Sequence, residues 1–203
     1  PSSCWWMLMI AVLLVVAASA AAWVVNPVSA GCVFLGAFFY GVVYTVWLKR
    51  RSWLNIVIGG LAGSFAVLAG AAAVDPALGP HGLLLALVLF LWTPPHFWSL
   101  AIANHEEYAA AGIPMLPVVV GTARAARIVL WSTLALALTA LLPGLFGAGP
   151  VYMAGAVAGG GYFIYKTWRL AQAPLRKTAM GAFFASLVQL SLLLAAATLD
   201  SLL

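Results

Sequence analysis

The stretch Trp92–Gly121, WTPPHFWSLAIANHEEYAAAGIPMLPVVVG, decides the fold class. An apolar run enters a double proline, Pro94-Pro95, and carries His96 within its greasy part. It ends in a polar loop holding the adjacent acids Glu106 and Glu107. An ionisable group inside a membrane span is costly and by default marks a site.

Working outward, the composition agrees. The chain is 66% hydrophobic and 6% charged, against about 25% charged in soluble domains. The predicted fold is all-α, a polytopic transmembrane helical bundle. Each apolar run is near the ~20 residues that cross a hydrocarbon core. The alternating ten-residue segments of an outer-membrane barrel are absent. Breaker residues separate about seven spans: Trp5–Val25, Val28–Leu48, Leu54–Val74, Gly82–Ala103, Arg127–Leu145, Val151–Trp168 and Gly181–Leu199.

With that count, Asn26-Pro27, Asp75 to Pro80 and Pro143 to Pro150 turn the chain on one side. All 9 basic residues fall on the other: Lys49, Arg50, Arg51, Arg124, Arg127, Lys166, Arg169, Arg176 and Lys177. The positive-inside bias makes that side cytoplasmic, with Leu203 external. A missed or extra span would scatter these residues over both faces. The net charge of +5 is thereby explained by topology, and no soluble basic domain exists to bind nucleic acid.

Cys4 and Cys32 lie in different apolar runs without metal-ligand spacing and read as inert small hydrophobes. Gly59 with Gly63, and Gly155 with Gly159, have the spacing that lets helices approach closely. No internal repeat is evident. The chain begins at Pro1, with no basic leader before its first apolar residues, so an N-terminal part is expected to be missing or removed.

The polar groups of the central stretch need one another to mean anything. Alone, the double proline is a helix kink, His96 a hydrogen-bonded core residue, and Glu106-Glu107 a solvated helix end. If the helix continues to Glu107, then His96, Leu100, Ala103 and Glu107 share a face with Ser99 close by, and His96 lies about 16 Å deeper than the carboxylate. That would outline a pocket open to the cytoplasm. Glu106 and Glu107 are the only acids on that face. A hard cation such as Mg²⁺ takes a few carboxylates plus substrate phosphates. Lys49, Arg50 and Arg51, followed by Asn55, supply positive charge for an anionic leaving group. Together they suit a lipid diphosphate better than a channel. The segment Ala111–Pro117, apolar but broken by Gly112, Pro114 and Pro117, is expected to cap the pocket mouth and exclude water.

Three motifs carry a family resemblance: WTPPHFW from Trp92, the EYxxAGIPMLPVV pattern over Glu107–Val119, and YTVWLKRRSWLNIVIGG over Tyr44–Gly60. They resemble the protoheme IX farnesyltransferases (heme O synthases), a branch of the UbiA-type intramembrane prenyltransferases. The resemblance runs from the first span to Leu199-Asp200. It implies a nine-span bundle in a bacterial inner membrane, taking farnesyl diphosphate and heme b as substrates. Mg²⁺ would bridge the diphosphate, and heme A synthase or oxidase assembly proteins would be partners beside the lipid bilayer. It maps Glu106 and Glu107 to the metal, and Glu107, Tyr108 and Lys49 to catalysis. Lys49, Arg50, Arg51 and Asn55 map to the diphosphate, and His96 to heme. Two departures stand out. Glu107 stands before Tyr108 where the family usually has Asp. The Asn- and Asp-rich first motif, with its two flanking spans, has no counterpart, so the chain is expected to be a single prenyltransferase domain lacking its first two helices, and inactive alone.

The implied reaction joins farnesyl to a vinyl group of heme b, releasing diphosphate and gaining a hydroxyl from water. A quinone precursor or other aromatic acceptor is the alternative within the superfamily, against which the His96 motif speaks. A transporter or channel is the alternative outside it. Such proteins carry paired charges near the midplane, whereas here the acids and basic loops gather on one face.

Overall fold

The computed structural model describes residues 3–203. The chain is helical almost throughout: α1 (Ser3–Val24), α2 (Pro27–Phe38), α3 (Asn55–Val74), α4 (Pro80–Ala103), α5 (His105–Ala110), α6 (Leu116–Val120), α7 (Thr122–Thr139), α8 (Pro150–Gln172) and α9 (Arg176–Asp200). A π-helix, Phe39–Leu48, prolongs α2, and a 3₁₀ turn, Leu142–Phe146, follows α7. Among the described residues, five helical segments are long and apolar enough to cross a membrane: residues 27–48, 55–74, 80–103, 122–146 and 176–200. Val12–Val24 adds a shorter apolar helix. The predicted span Val151–Trp168 lies in α8, which has spanning length, 23 residues, but is not among the five. Its glycines and tyrosines lower its hydropathy, and several glycines face other helices.

This is a multi-pass membrane protein turned greasy side out. Trp131, Leu138, Val157 and Phe184 are exposed on the outer surface, where lipid would cover them. Inside, the core is built of small residues: Ala125, Ala126, Ala179, Ala182 and Ala185 are fully buried. Hydroxyls within helices bond back one turn, as Thr133 does to the Val129 carbonyl (2.9 Å) and Thr167 to that of Phe163 (3.1 Å). These hydroxyls are thus satisfied without water. Cys32 is a free, buried thiol, in keeping with an inert role; the Cys4 side chain lies outside what is described.

α4 is the hub. It packs against α3 on one flank and against α7 and α9 on the other, while α8 pairs with α7 and α9. α1, α2 and α3 follow one another as a row leading up to α4. Pro94 and Pro95 are both buried inside α4, which runs through them to Ala103. Flanking hydroxyls bond back one turn, Thr93 to the Leu89 carbonyl at 2.9 Å and Ser99 to the Pro95 carbonyl at 2.6 Å, neither of them a carbonyl that a proline leaves without its N–H.

The helix ends differ from expectation on the basic side. α7 starts at Thr122 rather than Arg127, α8 continues to Gln172, and α9 begins at Arg176 rather than Gly181. Arg124, Arg169, Arg176 and Lys177 therefore sit on helix ends, not in loops. Lys and Arg are good helix formers, and their long stems let the charge reach the interface. Lys166 Nζ lies over the rings of Tyr162 (5.4 Å) and Tyr165 (5.8 Å), and Arg169 Nη1 donates to the Tyr165 hydroxyl (3.1 Å).

At the opposite end, the Asp200 carboxylate accepts from the backbone N–H of Gly149 (2.6 Å) and Tyr152 (3.2 Å). This ties the last turn of α9 to the first of α8 and satisfies orphan donors at that helix start.

Candidate active site

α4 stops at Asn104, whose φ −115°, ψ 35° leaves the helical region. α5 then restarts the helix, with both acids in its first turn. The expected continuous face from His96 to Glu107 is therefore not formed. The break comes after the prolines, at a residue whose side chain competes for backbone hydrogen bonds.

What forms instead is a cleft of about 400 Å³ lined by Ile102, Ala103, Asn104, His105, Glu106, Glu107, Thr122 and Arg176. Three helix ends meet there: the end of α4 with α5, the start of α7, and the start of α9. Glu106 and Glu107 are exposed. Tyr108 is half-buried against the core, and its carbonyl accepts from Ile113 N–H at 3.1 Å. The cleft thus combines adjacent carboxylates with a guanidinium. Arg176 was visible in the sequence only as one more positive-inside residue. Nothing in its neighbourhood joined it to acids so far upstream.

Lys49, Arg50 and Arg51 lie at the same end of the bundle, exposed on the turn between the π-helix and α3. They do not line the cleft with Glu106 and Glu107. Asn55 opens α3, almost wholly buried, with Nδ2 donating to the Lys49 carbonyl at 3.1 Å. It holds the basic turn closed, and its Oδ1 has no partner among the described residues. Beneath that turn, on the α3 flank of α4, a cavity of about 210 Å³ is lined by Tyr40, Tyr44, Ile56, Gly59, Thr93 and Phe97.

His96 is buried between α4 and α9. Its ring stacks on Trp92 (centroids 4.1 Å apart) and on Phe183 (4.6 Å), with Phe97 edge-on at 4.9 Å. Its Nδ1 is 2.6 Å from the Ser186 Oγ. Phe183 and Ser186 were not singled out in the sequence, and Trp92 was read only as part of the WTPPHFW motif, although it stands one helical turn before the histidine.

The segment after α5 is packed down. Met115, Leu116 and Pro117 are buried in the core, and Gly112 (φ 64°) and Gly121 (φ 81°) take backbone conformations that side-chain-bearing residues rarely adopt. The chain is thereby clamped at both ends of a short stretch next to the acids.

Among the described residues, no cluster of three or more His, Cys, Asp or Glu side chains could hold a metal alone. Two exposed carboxylates beside a cationic side chain do fit a hard cation that shares its oxygens with a phosphate ligand and water.

Residues 3–194 match the model of the UbiA prenyltransferase family. The chain belongs to the UbiA family. The UbiA match spans α1 to most of α9 and includes every site residue described above. Among its relatives, protoheme IX farnesyltransferase 2 of Paramagnetospirillum magneticum is 62% identical over 183 residues, 90% of this chain and 64% of that protein. The protoheme IX farnesyltransferase of Roseiflexus castenholzii is 48% identical over 87% of this chain and 33% of its own length. That of Shewanella denitrificans is 45% identical over 88% of this chain and 60% of its own. The UbiA-family chain thus spans less than two thirds of the relatives it matches. No solved structure gives a significant match.

Proposed function

We propose that the whole protein transfers the farnesyl group of farnesyl diphosphate to a vinyl group of protoheme IX, making heme O. The observation that carries this reading is the cleft where Glu106, Glu107 and Arg176 meet at the foot of the helix bearing His96. The similarity to proteins named protoheme IX farnesyltransferase supports the choice of acceptor.

In the proposed reaction the bond between farnesyl C1 and the diphosphate oxygen breaks, and diphosphate leaves with the electron pair. The heme vinyl group then forms a bond to the allylic cation. Water adds at the carbon next to the pyrrole and releases a proton. Glu106 and Glu107 would hold Mg²⁺, which when bound neutralises charge developing on the diphosphate. Arg176 would grip the same anion as a fork of N–H donors. Lys49, Arg50 and Arg51 would add positive potential at the same face, with Asn55 fixing their turn. Tyr108, next in sequence to Glu107, would present its hydroxyl to the diphosphate. His96 would meet the heme. The aromatic rings along α4 and the π-helix would shield the cation from water and face it with their π-systems.

The basic end is assigned to the cytoplasm of a bacterial inner membrane, following the charge bias of its loops. Hand-over of product to heme A synthase or oxidase assembly proteins belongs to the same proposal.

Membranes containing the whole protein should convert heme b to heme O when given farnesyl diphosphate and Mg²⁺. Pigment extraction and mass analysis decide the matter. A prenylated quinone precursor instead of heme O would overturn the acceptor, and no prenylated product at all would overturn the reaction.

A further inference from the structure

The contacts of His96 decide which of its ring nitrogens carries the proton. Its Nδ1 lies 2.6 Å from Ser186 Oγ, and the same oxygen lies 2.6 Å from the Phe183 carbonyl oxygen. A serine hydroxyl has one proton to give, and a carbonyl can only accept. Both contacts are hydrogen bonds only if Ser186 donates to Phe183 and the ring donates its Nδ1–H to Ser186. The ring is then the Nδ1–H tautomer, and Nε2 keeps its lone pair.

The surroundings hold this arrangement in place. Trp92 and Phe183 stack on the ring, and the Trp92 Nε1–H donates to the Ser186 carbonyl at 2.9 Å. One tryptophan therefore both packs the imidazole and fixes the residue that orients it. Nε2 alone is left free. It has no hydrogen-bond partner among the described residues, yet it is not sealed in as Trp98 Nε1 and the Gln189 amide are. A stacked imidazole with one bonded nitrogen and one open lone pair is arranged to meet an electron-pair acceptor.

We infer that Ser186 is a positioning residue that fixes His96 as the Nδ1–H tautomer, so that Nε2 offers its lone pair to the iron of a metalloporphyrin. This rests on the proposed reading that His96 faces heme b. The chemistry is that of metal-bound histidines in general. The far nitrogen donates a hydrogen bond, which sets the tautomer and raises the basicity of the ligating one.

The test uses the whole protein in lipid nanodiscs, with variants Ser186→Ala, Ser186→Thr and His96→Gln. Nitrogen-15 NMR of labelled histidines reads the tautomer directly, the His96 signals being those lost in His96→Gln. The Nδ1–H form is expected in the parent and in Ser186→Thr, with Nε2–H appearing in Ser186→Ala. Titration with heme b, followed by its Soret band, should show binding weakened roughly 10-fold in Ser186→Ala and recovered in Ser186→Thr. Binding of iron-free protoporphyrin IX should be the same in all.

Three outcomes overturn the inference: an Nε2–H ring in the parent, unchanged heme binding in Ser186→Ala, or equal losses for heme and the iron-free porphyrin. If the parent makes heme O while His96→Gln keeps the same heme spectrum, the inference falls and the proposed function stands. A parent that neither binds heme b nor makes heme O defeats the functional reading and the ligand role with it, while the NMR still decides the tautomer.

Discussion

At the residue scale, charge is scarce, and most of it gathers at one end of the bundle. Glu106 and Glu107 could be picked out from sequence because no other acid shares their face. Arg176 could not, because its link to them exists only where α9 begins beside the end of α4. If these groups hold the leaving diphosphate, Glu107→Ala should lower heme O formation about 100-fold, the scale of losing one charge-stabilising group in a dry site. Arg176→Ala should raise the KM for farnesyl diphosphate more than it lowers kcat, because the guanidinium grips the anion before and during reaction. Steady-state kinetics on membranes separates the two effects. Equal activity in both variants would remove the cleft from the mechanism.

Elements are held together here by small residues and by a few polar ties. A Cβ on Gly159 would lie 3.1 Å from the Gln189 Cα and 3.2 Å from its carbonyl oxygen, with backbone that cannot give way. Gly159→Val should therefore push α8 off α9 and cost about 1–3 kcal/mol. Thermal unfolding in detergent should show it, with Gly161→Val as the control, since nothing lies within 4 Å of a Cβ there. The GxxxG spacing in the sequence had flagged this contact, although not its partner helix. Asp200→Ala should cost about 1 kcal/mol by uncapping α8, and should leave heme O formation intact because it acts at the end away from the cleft. Loss of activity at unchanged stability would contradict that division. The π-helix was not foreseen. Residues 39–48 are mostly apolar and aromatic, and no sequence period distinguishes five residues per hydrogen-bonded turn from four. Its Thr45 hydroxyl bonds the Tyr40 carbonyl at 2.7 Å, following the same wide spacing.

For the whole molecule, the two ends differ in chemistry. The end bearing the turn after the π-helix, α5 and the α8–α9 junction carries every Lys and Arg. The other end carries Asp75, His81 and Asp200. Single cysteines at Lys49, Glu107 and Lys177, in a Cys4→Ala, Cys32→Ala background, should react with an impermeant thiol reagent from one side of sealed vesicles. Cysteines at Leu78 and Ala148 should react only from the other. Lys49 and Glu107 on opposite sides would make a shared diphosphate site impossible.

The sequence by itself determined that the chain is a bundle of membrane helices, roughly where each one runs, and which ends share a face. These follow from local physics. A hydrocarbon slab sets the length of each apolar run, every backbone group must be satisfied within its own helix, and basic residues gather on one side. The tertiary structure alone decided that α4 ends at Asn104, that Arg176 joins Glu106 and Glu107, and that Ser186 meets His96. Helices apolar on all sides carry little pattern to say which face meets which neighbour. Lateral pairing in lipid is chosen by close packing of small residues and a few hydrogen bonds, and those exist only once the helices have come together.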